Sequence, residues 1–214
     1  MSKQSSAAVQ EAEKIQMDPK YILTLTVRLF GACLVVAFLL GLVNMVTLPN
    51  ITARKKAATD AALKQVVENP DNSEFSDALE LSDDMTTAAS GAGATLESLY
   101  AVMENGDAAG YALTVVASGS QGNIEMMVGV DEADIVTGVS IVSNSETPGI
   151  GSKVMGNEPT ASGTPVLDQF IGKSPADGTL VVGSGIDAIS GATVSSRGVT
   201  TGVNAALAVA ALID

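Results

Sequence analysis

The sequence predicts an α+β protein in which a single N-terminal transmembrane helix precedes a mainly antiparallel sheet with helices packed on it. Three features predict this architecture: a long uncharged segment near the N-terminus, four short β-branched segments in the middle, and an alanine-rich apolar segment near the C-terminus. Because the strands follow one another before the helices appear, an antiparallel meander is favoured over a parallel βαβ sheet.

The membrane helix is predicted from Leu29–Leu48, a run of 20 residues without a charged side chain. As a helix, such a run is about 30 Å long, which matches the hydrocarbon core of a bilayer. Tyr21 and Arg28 precede it where interfacial anchors are expected, and Pro49-Asn50 ends it. We therefore expect a polar N-terminal segment at residues 1–20 and the transmembrane helix at residues 21–49.

Two other interpretations of this segment are a cleaved signal peptide and a lipoprotein signal. A signal peptide has a shorter apolar region and a small-residue cleavage site, whereas this run is long and is followed by Arg54-Lys55-Lys56. A lipoprotein signal is disfavoured because most of the run follows Cys33. A retained anchor is the favoured interpretation. Basic residues flank both ends of the run, so the charge distribution gives no orientation.

The rest of the chain is predicted as a stalk followed by a sheet domain. Residues 50–95 are predicted to form a helical stalk over Thr52–Glu68, stopped at residues 69–72, and then an acidic loop with one short helix. Residues 96–214 form the domain, and its strands are predicted at Leu96–Met103, Gly110–Ala117, Ile124–Val130, Ile135–Val142 and, shorter, Thr179–Val182. Helical patterns follow at Val166–Ile171 and Val199–Ile213.

Composition excludes several functions. The net charge is −13, and residues 57–214 carry 21 acidic and four basic side chains, so this surface repels nucleic acids. The chain has no histidine, which excludes Ser-His-Asp and Cys-His catalysis. One cysteine excludes an intrachain disulfide and argues against protein-ligated iron–sulfur, haem and zinc sites. A redox cofactor, if present, is therefore expected to be organic.

The most informative segment is Asp187–Ser196, which has the sequence DAISGATVSS. It places the hydroxyl of Thr193 on a small Ser-Gly-Ala turn directly before an apolar helical run. The start of a helix offers unpaired backbone N–H groups and a positive dipole end, which together bind phosphate without lysine or arginine. The alternative interpretation is a Ser/Thr-rich N-cap of an ordinary helix.

Two segments resemble motifs of the FMN-binding domain family. Asp187–Thr193 resembles the family's flavinylation motif, Asp-x-x-Ser-Gly-Ala-Thr, and Glu146–Lys153 resembles its Glu-Thr-Pro-Gly loop, in the same order along the chain. The resemblance implies that a flavin transferase joins FMN covalently to Thr193 through a phosphoester. The residues we then expect to surround the cofactor are Ser190, Gly191, Ala192 and Ser195 near the phosphate, and Glu146, Thr147, Gly149 and Lys153 near the ring.

Over residues 20–214 the order of anchor, stalk, strands and both motifs resembles the G subunit of Rnf complexes. These membrane complexes couple electron transfer between ferredoxin and NAD to sodium or proton transport. The resemblance implies an electron-relay subunit with no complete catalytic site or metal, partnered by other redox and membrane subunits and by lipid. It also implies a cytoplasmic N-terminus and an FMN domain on the outer side of the cell membrane.

Three alternatives stay open at the level of sequence. The C subunit of the sodium-translocating NADH:quinone reductase shares both motifs, although it is typically longer. A membrane-anchored binding or assembly module without flavin would keep the acidic surface and the helix cap. An independent extracellular flavoprotein would carry FMN outside any ion pump.

Overall fold

The computed structural model describes residues 19–213, and the chain forms two compact units that divide between Ala53 and Arg54. The predicted N-terminal segment at residues 1–20 therefore lies almost entirely outside the described residues. The sheet and all helices after the first belong to the second unit.

The first helix, α1, runs over Pro19–Gln65 and is the one helix in the described part of the chain that is long and apolar enough to cross a membrane. Pro49-Asn50 ends the apolar run, but the helix itself continues through Pro49. Proline removes one backbone hydrogen bond, and the alanine-, lysine- and leucine-rich sequence after it favours helix strongly enough to continue. The predicted helical stalk is thus the continuation of the apolar helix.

The sheet has five strands in the order β1-β2-β3-β4-β5, and every neighbouring pair is antiparallel. The strands are β1 (Ser73–Phe75), β2 (Ala94–Glu104), β3 (Asp107–Ser118), β4 (Asn123–Asp131) and β5 (Val136–Asn144). The four predicted central strands and the antiparallel meander are confirmed. The edge strand β1 was not predicted because three residues carry too little pattern to be recognised.

Helix α2 (Asp83–Gly91) lies between β1 and β2, and short elements connect β5 to the long final helix, α4 (Thr193–Ala210). These short elements are α3 (Gly151–Met155), 3₁₀ turns at Asp168–Phe170 and Pro175–Asp177, and the two-residue strands β6 (Val181–Val182) and β7 (Gly185–Ile186). The predicted final helix, Val199–Ile213, was wrong at its start by six residues. Ser, Thr and Gly are weak helix formers, and burial against the sheet overrides that preference here.

Helix α4 packs closely on one face of the sheet, as its small residues predicted. A Cβ atom at Gly198 would lie 2.6 Å from the carbonyl oxygen of Ser118, and one at Gly202 would lie 2.6 Å from the sulfur of Met126. Its apolar side chains join the main core, in which Val199, Val203 and Ala206 are fully buried. This close contact fixes the position of the first turn of α4 against the end of β3.

The end of α1 covers the opposite face of the sheet with a second, smaller core. Ala62, Leu63 and Val66 are buried there against Met127 and other side chains of that face. Lys55 forms ion pairs with Glu125 (3.1 Å) and Glu97 (3.4 Å). The hydrogen bond to Glu125, together with both carboxylate charges, raises the pKa of Lys55 above 10.5.

Candidate functional site

Thr193 is the first residue of α4 and does not precede the helix on a turn. The turn before it bends at Gly191, whose φ of +82° lies in the region that favours glycine, and closes with a hydrogen bond from the Ala192 N–H to the Ile189 carbonyl (2.9 Å). Ala192 occupies the N-cap position and provides no capping side chain. The first turn of α4 also contains no acidic residue.

The serines that follow Thr193 do not cap the helix, so the alternative interpretation as a Ser/Thr-rich N-cap is wrong. The hydroxyl of Ser196 donates to the carbonyl of Ala192 (3.1 Å), and the hydroxyl of Ser195 donates to Glu146 (2.9 Å). Neither hydroxyl accepts a backbone N–H, so the N–H groups of Thr193, Val194 and Ser195 have no side-chain cap, whereas that of Ser196 donates to the Ala192 carbonyl (2.9 Å). The start of α4 is therefore open to an anion from outside the chain.

The Glu-Thr-Pro-Gly segment forms a defined turn between β5 and α3. The carbonyl of Thr147 accepts hydrogen bonds from the N–H groups of Ile150 (3.3 Å) and Ser152 (3.2 Å). Gly149 has a φ of +79°, a conformation that favours glycine after proline in a turn, and its N–H donates to the hydroxyl of Ser152 (2.8 Å). Thr147 itself is exposed, so its side chain is available to a ligand.

Glu146 is buried, with 8% of its surface exposed, although its neighbour Thr147 faces solvent. One carboxylate oxygen accepts the hydroxyl of Ser195 on α4 (2.9 Å), and the other accepts the backbone N–H of Ser120 in the β3–β4 turn (2.6 Å). Its own N–H donates to the side chain of Asn144 (3.2 Å). One carboxylate thus connects the loop, the helix start and a strand turn.

The two motif segments, which lie about 40 residues apart in the sequence, line one cavity of about 140 Å³. Six of the residues predicted from the sequence line it: Glu146, Thr147, Gly191, Ala192, Thr193 and Ser195. Ser190, Gly149 and Lys153, which were also predicted, are exposed and lie outside this lining. The residues missed by the sequence analysis are Ser120, Ile150, Gly151 and Val194.

Different signals could have identified the missed residues. Ile150 and Gly151 lie inside the Glu146–Lys153 segment and Val194 directly follows Thr193, so naming every residue of the two segments would have included them. Ser120 belongs to the β3–β4 turn, and no motif in the sequence connects it to either segment.

The backbone of Asp187, at the start of the threonine motif, forms two hydrogen bonds with the side-chain amide of Gln169. The amide carbonyl of Gln169 accepts the Asp187 N–H (2.7 Å), and its NH₂ donates to the Asp187 carbonyl (3.1 Å).

Comparison with known proteins assigns the class of this fold and site. The FMN-binding domain family matches residues 119–208, a range that contains both motif segments and the whole cavity lining. The match lies within the second unit and covers the part of it that contains the candidate site.

One relative that aligns over nearly the whole chain, and others that align over about half of it, identify the family more closely. The G subunit of the Na⁺-translocating ferredoxin:NAD⁺ oxidoreductase complex of Acetobacterium woodii is 31% identical over 209 residues, which cover 94% of this chain and 97% of the relative. The G subunit of the ion-translocating oxidoreductase complex of Aliivibrio fischeri is 37% identical, over 51% of this chain and 53% of the relative. The corresponding protein of Methanosarcina acetivorans is 33% identical, over 50% and 54%. The chain belongs to the family of G subunits of ion-translocating oxidoreductase complexes.

Among solved structures, the C subunit of the Na⁺-translocating NADH-quinone reductase of Parabacteroides distasonis aligns with a TM-score of 0.45 and 17% identity. The alignment covers 73% of this chain and 90% of that one.

Proposed function

We propose that this chain is the electron-relay subunit of a membrane-bound, Rnf-type ferredoxin:NAD oxidoreductase that transports ions, and that it carries FMN covalently on Thr193. One observation carries the attachment site: Thr193 is the first residue of the uncapped helix α4 and lines the same cavity as Thr147 of the Glu-Thr-Pro-Gly loop. The match to the FMN-binding domain family over residues 119–208 supports the identity of the cofactor.

The residues at this site fit the phosphate end of FMN. The first turn of α4 has no side-chain cap and no acidic residue, so its N–H groups and dipole favour a phosphate. Gly191 leaves the backbone open on the other side, because a Cβ atom there would meet nothing within 4 Å. Ser195 contributes its backbone N–H in this arrangement, since its hydroxyl is already bonded to Glu146.

The size of the cavity supports a covalent link. At about 140 Å³ it is smaller than the roughly 300–1,000 Å³ of pockets that hold a ligand by non-covalent contacts alone. A phosphoester to Thr193 makes such a pocket unnecessary and lets the ring lie at the surface, where a redox partner can approach it. Bound FMN supplies reversible one- and two-electron transfer, and this chain needs no catalytic residue of its own for that role.

The attachment itself requires an activated flavin donor. The hydroxyl oxygen of Thr193 forms a bond to the flavin phosphorus, and a bond from that phosphorus to a leaving group must break. A flavin dinucleotide is a donor of this kind, because its pyrophosphate bond breaks to release a nucleoside monophosphate. The hydroxyl proton passes to a base of the transferase and then to solvent, so the site on this chain only has to present the threonine.

The remaining parts of the proposal concern placement and partners. In this proposal α1 anchors the chain in the cell membrane, the N-terminus is cytoplasmic and the FMN domain lies on the outer side. The partners are the other redox and membrane subunits of the complex, the flavin transferase during maturation, and the surrounding lipid. The length and composition of α1 support the membrane anchor, and the names of the relatives support a place in a multi-subunit complex. The orientation and the transferase rest on the resemblance of the two motifs to those of the family.

The test is flavin fluorescence of the chain in a denaturing gel, after expression with an active flavin transferase. We expect a fluorescent band for the native chain, no fluorescence for Thr193→Val, and full fluorescence for Thr147→Val. Thr147 is a matched control because it is the other threonine that lines the cavity. Denaturation removes non-covalent flavin, so the band reports the covalent link alone.

Two results would contradict the proposal. A dark band from the native chain would leave the flavin-free binding or assembly module as the better interpretation. A fluorescent Thr193→Val band would place the link on another residue.

A further inference from the structure

Glu146 is the one charged side chain among the buried residues of the described part of the chain. Burying a carboxylate is unfavourable unless hydrogen bonds replace the lost water. Both oxygens of Glu146 have such partners, the Ser195 hydroxyl and the Ser120 N–H, and both partners are neutral. Each oxygen therefore accepts a donor from a different segment of the chain, and these two bonds hold the carboxylate in the wall of the cavity.

The backbone around Glu146 is shaped to admit the carboxylate. A Cβ atom at Gly119 would overlap one carboxylate oxygen and lie 2.9 Å from the Ile124 side chain. A Cβ atom at Gly151 would overlap the other oxygen and lie 2.9 Å from the hydroxyl of Ser195. The β3–β4 turn, the first residue of α3 and the first turn of α4 therefore enclose this group from three sides.

The position of this carboxylate links the two halves of the candidate site. Ser195 lies two residues after Thr193 in the same helical turn, and Glu146 directly precedes Thr147. Among the hydrogen bonds of residues 19–213, the bond between Ser195 and Glu146 is the one that joins the Glu-Thr-Pro-Gly loop to α4. Breaking it would leave the loop and the helix start without a direct polar connection.

We propose that Glu146 is a positioning residue, which holds Thr193 and the Glu-Thr-Pro-Gly loop in the relative arrangement that flavin attachment requires. This inference rests on the proposed function and assigns Glu146 a role other than contact with the flavin ring. Its carboxylate accepts a hydrogen bond from Ser195 on α4 and another from Ser120, which lies in the turn between two strands of the sheet. Without the hydrogen bond from Ser195, Thr193 stays in its helix, but the position of the Glu-Thr-Pro-Gly loop relative to the Thr193 hydroxyl is no longer fixed.

The test compares Ser195→Ala, Glu146→Leu and the double variant, using the 214-residue chain and an active transferase with a flavin dinucleotide as donor. Ser195→Ala removes the link and keeps the charge, whereas Glu146→Leu removes the link together with the charge and both acceptors. We expect incorporation about tenfold or more slower in each single variant, since small displacements of a reacting group produce losses of this order. The double variant should be no slower than the slower single variant, because both remove the same link.

A matched control separates positioning from general stability. Met127→Ala creates a cavity in the second core, on the sheet face opposite α4, and is expected to lower the melting temperature without slowing incorporation. A second readout is the visible circular dichroism of the flavin band in protein that has been loaded. We expect a weaker signal per bound flavin in Ser195→Ala, because a loosened loop imposes less asymmetry on the ring.

The outcomes are distinct. Normal incorporation and an unchanged dichroism signal in both single variants would overturn the positioning role and leave the attachment to Thr193 intact. If the rate of flavin incorporation falls in proportion to the melting temperature in both Met127→Ala and Ser195→Ala, the loss reflects stability alone and the positioning role is also overturned. A native chain that takes up no flavin would overturn the proposed function and this inference together.

Discussion

Helices α2 and α4 pack against each other on the same face of the sheet, yet their N-termini are built differently. At α2, the hydroxyl of Ser82 accepts the N–H of Met85 (3.2 Å), and Asp83 and Asp84 place two negative charges in the first turn. At α4, the N-cap residue is Ala192, and the first turn has neither a capping side chain nor an acidic residue. The chain carries 24 acidic residues, so a lack of carboxylates does not explain this difference.

The comparison distinguishes a helix N-terminus at which the chain supplies its own negative charge from one at which it supplies none. Side-chain capping and acidic first-turn residues satisfy the positive end of a helix. α2 has both, and it has no role in the candidate site. α4 has neither, and it begins at the threonine that the motif identifies. Under the proposed function, the open helix start and the hydroxyl that receives the flavin belong to one feature.

The largest effect is expected from adding a negative charge to the start of α4. Val194 is half-exposed in the first turn, so Val194→Asp gives α4 the acidic residue that α2 has. Two unit charges about 4 Å apart interact by roughly 1–4 kcal/mol at the effective dielectric constants of water and of a protein surface. We expect flavin incorporation to slow at least fivefold in low salt, as measured by gel fluorescence over time.

The matched control for that variant is Val194→Asn, which has the same shape as the Asp variant and no charge. It should incorporate flavin at nearly the native rate. Equal rates for the Asp and Asn variants would show that charge at this helix start is irrelevant to attachment.

A smaller effect, on stability alone, is expected from removing the cap of α2. Ser82→Ala leaves the N–H of Met85 without its acceptor and should lower the free energy of unfolding by about 1 kcal/mol. Urea unfolding of the chain in detergent, followed by circular dichroism, measures this change. Flavin incorporation should stay at the native rate, and a loss comparable to that of Val194→Asp would remove the distinction between the two helices.

The smallest effect is expected from neutralising the acidic residues of α2. Asp83→Asn and Asp84→Asn each remove a favourable interaction with the helix dipole, worth about 0.3–1 kcal/mol at low ionic strength. The same urea titration at low and high salt measures it. The loss should shrink at high salt because the interaction is screened, and a loss that is independent of salt would point to a different cause.

Much of the fold was predictable because its signals are local. The four central strands are β-branched, apolar segments between clear turn residues, and this composition located them to within a few positions, even though β3 and β4 are buried along most of their length instead of alternating. The start of α4 was not predictable in this way, since Thr193–Ser196 has the composition of a turn. The segment is helical because Ser195 and Ser196 are buried in the folded domain, and this burial is not visible in the local sequence.

The candidate site was predictable in part for the same reason. Thr193, Thr147 and their neighbours lie within two recognisable motifs. The connection through Glu146 was not predictable, because its partners lie 26 and 49 residues away and the contact depends on how the sheet brings three segments together. The sequence analysis therefore named six residues that line the cavity, but it did not anticipate the hydrogen bond between Glu146 and Ser195.

The most direct test of the central claim is peptide mass spectrometry of the chain purified from a host with an active flavin transferase. After proteolysis, we expect the peptide that contains Thr193 to carry the added mass of an FMN phosphoester, with fragmentation placing it on the Thr193 side chain. Unmodified Thr193 peptide at full yield, or an adduct on Thr147 or another residue, would contradict the account.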